Sequence, residues 1–153
     1  METLSWHLKK WEELTATELY GILQLRVDVF VVEQNCPYPE LDGKDLKCSH
    51  LWVSDVNGRV HACCRLVPPG VSYKDASIGR VASSLVMRRE GLGREVMKRS
   101  IEQQRESYPG LDIRISAQSY LQKFYESFGF EVEGEEYLED DIPHKEMVLK
   151  YSL

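Results

Sequence analysis

Nowhere does the chain string together the ~18 consecutive apolar residues that a membrane-spanning helix requires. Cys36, Cys48, Cys63 and Cys64 form no C-x-x-C pair, so the paired spacing of structural zinc sites and dithiol redox motifs is missing. A zinc site from Cys36, Cys48 and His50 lacks that spacing too, and free thiols without metal are the expectation. Positive charge is also scarce. With 19 Lys and Arg against 25 Asp and Glu, the net charge is −6. A nucleic-acid surface needs a basic face, which leaves a cationic small partner as the favoured alternative. The stretch Met1 to Trp11 scatters Glu2, His7, Lys9 and Lys10 among its apolar residues and has no signal-peptide core. Repeats and low-complexity segments are lacking. What remains is a soluble cytoplasmic protein, one domain over residues 1–153, with no membrane or nucleic-acid partner.

The elements follow from periodicity. Leu4 to Trp11 alternates as a first strand. Thr15-Ala16-Thr17-Glu18 has the capping-box form, and Leu19, Ile22, Leu23, Val27 and Phe30 continue at helical spacing. Arg26 falls on that stripe, either as an arginine snorkelling from its edge or as a charge lining a cleft. From Val31 to Gly43, two prolines, Asn35 and Asp42-Gly43 break the helix into a long loop of the kind that is often functional. His50 to Val56 and Arg59 to Val67 read as a hairpin around Asn57-Gly58, and Ser77 to Ser83 as the next strand. Leu92, Val96, Ile101 and Gln104 face inward on a helix ended by Tyr108-Pro109-Gly110. Leu111 to Ala117 then completes a parallel crossover. Ser119 and Gln122 form a second capping-box pattern before Leu121, Phe124, Tyr125 and Phe128, with Gly129 at the helix end. Phe130 to Leu138 and Met147 to Tyr151 read as closing strands, with a turn at Pro143-His144. The fold class is α/β, a mixed and mostly antiparallel sheet.

The stretch Ile78 to Arg94 joins a strand, a polar turn and a helix start. Gly91 and Gly93 let the backbone turn sharply, and a helix opening there offers unpaired N–H groups to a phosphate. A P-loop fails for want of a lysine followed by a hydroxyl residue. A dinucleotide fingerprint fails because Val96 stands in the place of its third glycine. The third pattern is Arg88-x-x-Gly91-x-Gly93, followed downstream by Phe124-Tyr125-Glu126-Ser127-Phe128-Gly129-Phe130. Together these resemble the two signatures of the GNAT superfamily of acyl-CoA-dependent N-acetyltransferases. Leu25 to Tyr38, Leu41-Asp42-Gly43 and Ile142-Pro143-His144 extend the resemblance to its ElaA-like branch.

The resemblance implies a GNAT fold with a central splayed parallel strand pair and acetyl-CoA as co-substrate. It implies a CoA site at Val81, Ala82, Ser83, Arg88, Arg89, Glu90, Gly91, Leu92, Gly93, Arg94 and Gln122. The strand carries a bulge in this family, and its free main chain pairs with the pantetheine arm. Tyr125 matches the tyrosine beside the departing sulfur, although its position on an apolar stripe equally suits a core aromatic. With a phenol near 10 and a thiol near 8.5, full proton transfer is uphill by roughly 2 kcal/mol, which favours a hydrogen bond that becomes transfer as the C–S bond breaks. Candidate bases for the amine are Glu33, His50 and His144, and candidate substrate contacts are Arg26, Glu33 and Tyr38. The acidic run Glu131 to Asp141 suits either a solvated sheet edge or a rim that gathers amines. The expected activity is acyl transfer, by default acetyl, to a small-molecule or peptide amine by direct attack in a monomer or homodimer. Its rivals are a non-catalytic acyl-CoA-binding domain and an acyl-homoserine-lactone-synthase-like acyltransferase.

Overall fold

The computed structural model describes residues 3–152. Met1, Glu2 and Leu153, the ends of the expected domain and of the Met1–Trp11 reading, lie outside the described residues. Four antiparallel strands form the first sheet in the order β1 (Ser5–Lys10), β2 (Ser49–Ser54), β3 (Val60–Val67) and β4 (Ser77–Ser83). In the second, β5 (Ile113–Gln118) pairs with β8 (Ile142–Leu149), which also pairs with the short β6 (Glu131–Val132) and β7 (Tyr137–Glu139).

Strand alternation divides the core. Leu51, Val53, Ala62, Cys64 and Leu66 face α2 (Leu92–Ser107), whose Leu92, Val96, Met97 and Ile101 fill the larger cluster with Ile113, Ile115, Tyr125 and Phe130. Trp52 and Cys63 face the other way, against Ile22, Leu25 and Val29 of the first helical segment, and Val60 joins them because the β2–β3 register shifts between Val53 and Ser54. Adjacent Cys63 and Cys64 thus serve opposite faces, as the period of two demands. All four cysteines are free. Burying a side chain as large as Trp52 or Phe130 is worth about 1.5–3 kcal/mol, so the two faces together anchor the sheet. Gln104 on α2 is buried and donates to Val67 O at 3.0 Å and Ser77 O at 2.7 Å, tying the β3–β4 connection to the helix.

The first capping box forms as expected, with Thr15 accepting from Glu18 N–H and Glu18 reaching back, at the start of α1 (Ala16–Val27). The helix does not break at Val31. It continues as a π-helical stretch, Asp28–Glu33, because Val29 still has a core to reach. The second capping box does not form. Ser119–Leu121 is a 3-10 turn ahead of α3 (Gln122–Glu126), and the Ser119 hydroxyl is buried with no partner. Gly134, at φ 88°, separates the single strand expected over Phe130 to Leu138 into β6 and β7. The last strand starts early, at Ile142, because the turn belongs to Asp140 and Asp141, with φ 51° and 63°, as a tight hairpin requires. Pro143 and His144 lie in a strand instead of a turn. Pro143 sits beyond the β5 pairing, which ends at Gln118–His144, so its missing N–H breaks no bond there.

Candidate active site

Between β3 and β4 the register slips. Cys63 faces Ala82 and Arg65 faces Gly79, so Arg80 and Val81 together oppose Cys64. This is a β-bulge, and it places Arg80 at φ 52°, an uncommon backbone for a residue with a Cβ. β4 and β5 are parallel neighbours held by one bridge, Ala76–Ile113, with Arg114 N–H donating to Ala76 O at 2.9 Å. Past that bridge no further pairing joins the two strands toward Ser83 and Gln118 among the described residues. The β5-facing edge of Val81, Ala82 and Ser83 has no strand partner among the described residues.

The turn beyond β4 lines the mouth of this cleft. Ser84 caps a 3-10 turn, Leu85–Glu90, by accepting from Met87 N–H. Gly91 follows at φ 75° and starts α2. A Cβ at Gly91 would meet nothing within 4 Å, so backbone conformation, and not space, asks for glycine there. The helix's own bonding begins with Glu95 N–H to Gly91 O at 3.2 Å. The N–H groups of Leu92, Gly93 and Arg94 are left at the positive end of a 16-residue helix. Arg89 and Glu90 are exposed beside them. Arg94 turns away, its guanidinium 4.6 Å from the Phe128 ring centre and donating to Ser127 Oγ at 3.0 Å.

On α3 stands Tyr125, buried in the main core between Phe124 and Phe130 with ring centres 5.2 and 6.1 Å away. Burial pushes its phenol well above the ordinary value. It is therefore a poorer acid than a free phenol but a persistent hydrogen-bond donor.

Residues 33–38 reach three neighbouring segments: Arg88 of the turn, Gln118 of β5, and Asp141 before β8. Arg88 grips Glu33 with two bonds of 2.7 and 2.9 Å and donates to Ser83 O at 2.8 Å. Gln34 and Gln118 exchange amide bonds at 3.2 and 3.3 Å. The Tyr38 hydroxyl donates to Asp141, which holds its pKa above the ordinary phenol value. His144, 6% exposed, donates from Nδ1 to Ile142 O at 2.7 Å, and its Nε2 lies 3.5 Å from Glu139. Gln122 accepts from Lys145 at 2.6 Å.

A family model described as an acetyltransferase (GNAT) domain matches residues 44–151. The chain belongs to the GNAT acetyltransferase family. This GNAT chain is 40% identical over 151 residues to a UPF0039 protein of Schizosaccharomyces pombe, covering 98% of this chain and 99% of that one. It superposes on an acyl-CoA N-acyltransferase from Pseudomonas aeruginosa with a TM-score of 0.90, at 42% identity, covering 95% of this chain and 99% of that one. It superposes on Escherichia coli ElaA with a TM-score of 0.89, at 37% identity, covering 97% and 100%. The splayed sheet is thus the GNAT fold, and the ElaA-like resemblance holds over nearly the full length.

Within this GNAT fold, two expected site residues lie elsewhere. His50 is buried on β2, two strands from the cleft edge, or about 10 Å at ordinary strand spacing. Burial lowers its pKa, and Nε2 is occupied by Asp45 O at 3.0 Å, so it does not serve as a base in the cleft. Arg26 neither snorkels nor lines the cleft. It is 1% exposed, bonded to Asp45 at 2.7 and 3.1 Å and to Glu40 at 2.8 Å. Burial opposes its charge, but those carboxylates more than offset the cost and raise its pKa.

Sequence reasoning missed the network that Arg26 belongs to. Arg65 bonds Asp42 and Asp45, and Arg80 bonds Glu40 at 2.7 Å, so three arginines and three carboxylates neutralise one another. Because Arg80 is the bulge residue, the long loop 34–43 is fastened to the bulge that opens the cleft. The available signal was Arg65, a permanent charge inside the mostly apolar Val60–Val67 strand, which had to find a buried partner. Among the described residues, no group of three His, Cys, Asp or Glu could hold a metal ion, and no helix is long and apolar enough to cross a membrane.

Proposed function

We propose that this chain transfers an acyl group, acetyl in the simplest case, from acyl-CoA to an amine, as a single catalytic domain acting by direct attack. One observation carries the reading: a bulged strand edge splays from its parallel neighbour directly beside a left-handed glycine and the free N–H groups of a long helix. Acyl-CoA supplies the activated thioester. The N–H groups of Leu92, Gly93 and Arg94 bind its pyrophosphate, with Arg89 adding charge. The open edge of Val81 and Ser83 pairs with amides of the pantetheine arm, and a main-chain N–H near Val81 or Ala82 stabilises negative charge on the reacting oxygen. Tyr125 donates a hydrogen bond at the departing sulfur. Its raised pKa favours donation over complete transfer, because a weaker acid gives up its proton less readily than the ~2 kcal/mol reference comparison implies.

On the acceptor side, His144 takes the amine proton at Nε2, directly or through one water, and Glu139 steadies the resulting charge. Glu33 is held by Arg88 and is reserved for positioning until that pair opens. Orientation and oxyanion stabilisation supply most of the rate. The cytoplasm is the proposed compartment.

A thiol-release assay with acetyl-CoA across amines and N-terminal peptides, combined with calorimetry of CoA binding, tests the reading. CoA binding with amine-dependent thiol release is expected. Binding without release from any amine would instead support a regulatory acyl-CoA-binding domain, and absence of binding would refute the CoA site.

A further inference from the structure

A buried chain of hydrogen bonds reaches the pyrophosphate turn from the far side of the sheet. Asp55 opens the β2–β3 hairpin and is fixed there: its Oδ1 accepts from Asn57 N–H at 2.8 Å and Arg59 N–H at 3.1 Å. Its Oδ2 lies 2.8 Å from His61 Nε2, and His61 Nδ1 lies 3.0 Å from Ser84 Oγ. His61 is 2% exposed and Ser84 5%. The His61 bond holds the Asp55 carboxyl below its ordinary range, so Asp55 accepts only. In neutral His61 the ring proton then sits on Nε2, Nδ1 accepts from the Ser84 hydroxyl, and the Ser84 lone pairs point to Met87 N–H. Main chain doubles the link, since Ser84 N–H donates to His61 O at 2.7 Å.

Composition alone would suggest a hydrolytic Ser-His-Asp triad. The arrangement argues otherwise, because Ser84 is closed off from solvent and its oxygen already serves as a cap. What lies beyond Ser84 gives the chain its meaning. Leu85, Val86, Arg88, Arg89 and Glu90 are all exposed, and only Met87 leans on the core. Apart from the Arg88 bonds to Glu33 and Ser83 O, the six-residue turn therefore has little beyond its Ser84 cap to fix its course between Ser83 and Gly91.

We propose that Asp55, His61 and Ser84 are positioning residues that pre-set the pyrophosphate-binding turn, so that the Gly91–Arg94 amides meet acyl-CoA already ordered. The proposal rests on the CoA reading above. It adds that affinity for the pyrophosphate half of the ligand depends on a hairpin on the opposite side of β3.

The test compares wild type with His61→Ala, His61→Gln and Ser84→Ala, using acetyl-CoA and acetyl-pantetheine, which lacks the pyrophosphate. His61→Ala and Ser84→Ala should raise the KM for acetyl-CoA about tenfold, the affinity equivalent of losing one helix cap. The kcat at saturation and the kcat/KM for acetyl-pantetheine should stay within about twofold. His61→Gln, which can donate to Asp55 and accept from Ser84, should restore much of the loss. An unchanged acetyl-CoA KM, or an equal loss with both thioesters, would overturn the proposal. Amide hydrogen exchange of residues 85–91 without ligand gives an independent readout: faster exchange in Ser84→Ala supports the proposal, and unchanged exchange refutes it. That readout stands if His61→Ala fails to fold. If wild type does not bind CoA at all, the functional reading falls while exchange still decides the order of the turn.

Discussion

Substituting Gly91 separates two reasons for glycine at the head of α2. The residue holds φ 75° and ψ 15°, with open space where a Cβ would project. Alanine there meets no atom, so its whole cost is that of a left-handed backbone, about 1–2 kcal/mol. Asparagine tolerates that region better and should cost only a fraction of it. Aspartate has similar backbone tolerance but brings a charge. At about 5 Å from one phosphate charge and an effective dielectric near 20, the repulsion is roughly 3 kcal/mol. Calorimetric affinities for CoA should therefore fall in the order Asn, Ala, Asp, with losses of about twofold, tenfold and a hundredfold. Gly93→Ala is the control. Its Cβ would lie 4.0 Å from Phe124, inside a regular helix. It should bind normally and raise the melting temperature slightly, since alanine gains up to about 1 kcal/mol over glycine in a helix. Equal affinities for Gly91→Ala and Gly91→Asp would remove the phosphate from the argument. Greater damage from Gly93→Ala than from Gly91→Ala would remove the backbone strain.

Tyr125→Phe should lower kcat about a hundredfold while the KM for acetyl-CoA changes little, since the phenol acts only as the sulfur departs. In the same steady-state assay, the raised pKa of Tyr125 predicts no alkaline loss attributable to this group up to about pH 10, the ordinary phenol value. An alkaline limb near pH 8 that vanishes in Tyr125→Phe would contradict this. Arg26→Met leaves Asp45 and Glu40 short of a buried partner, and should destabilise by about 3 kcal/mol, or about 10 °C in melting temperature. Asp42 and Asp45 have pKa values lowered by their arginines despite burial. Their stabilisation is therefore complete above the unfolded carboxylate value near 4 and is lost as pH falls through the lower folded values. Melting curves from pH 6 to 3 should show the onset of this loss, and Asp45→Asn should flatten it. A variant with the wild-type pH slope would assign the acid sensitivity elsewhere.

Local patterns in the chain were legible wherever local physics decides. The Thr15–Glu18 box, the inward face of Leu92, Val96, Ile101 and Gln104, and the opposite faces of Cys63 and Cys64 each depend on residues a few positions apart. Boundaries failed where the competing influence was distant. The first helix ran past its expected break at Val31 as a π-helical stretch, Asp28–Glu33, whose Val29 and Phe30 pack on the second core. Ser119 left its capping pattern unmade because the chain turns through a 3-10 segment first. Glu40, Asp42 and Asp45 were individually unremarkable between the first helix and β2, and their partners sit on three different elements, Arg26 on α1, Arg65 on β3 and Arg80 on β4.

By itself, then, the sequence determined the turn and the helix start after β4: glycine placement specifies them through short-range conformational preference, and together with the downstream aromatic run they match the GNAT family. Tertiary structure alone decided which charged groups are functional candidates. Burial and pairing are properties of surroundings, and they turned Arg26 and His50 inward, bound Glu33 to Arg88, and set His144 Nε2 beside Glu139. They also joined Asp55, His61 and Ser84 into a chain, because a sheet brings into hydrogen-bond contact residues that the sequence holds apart.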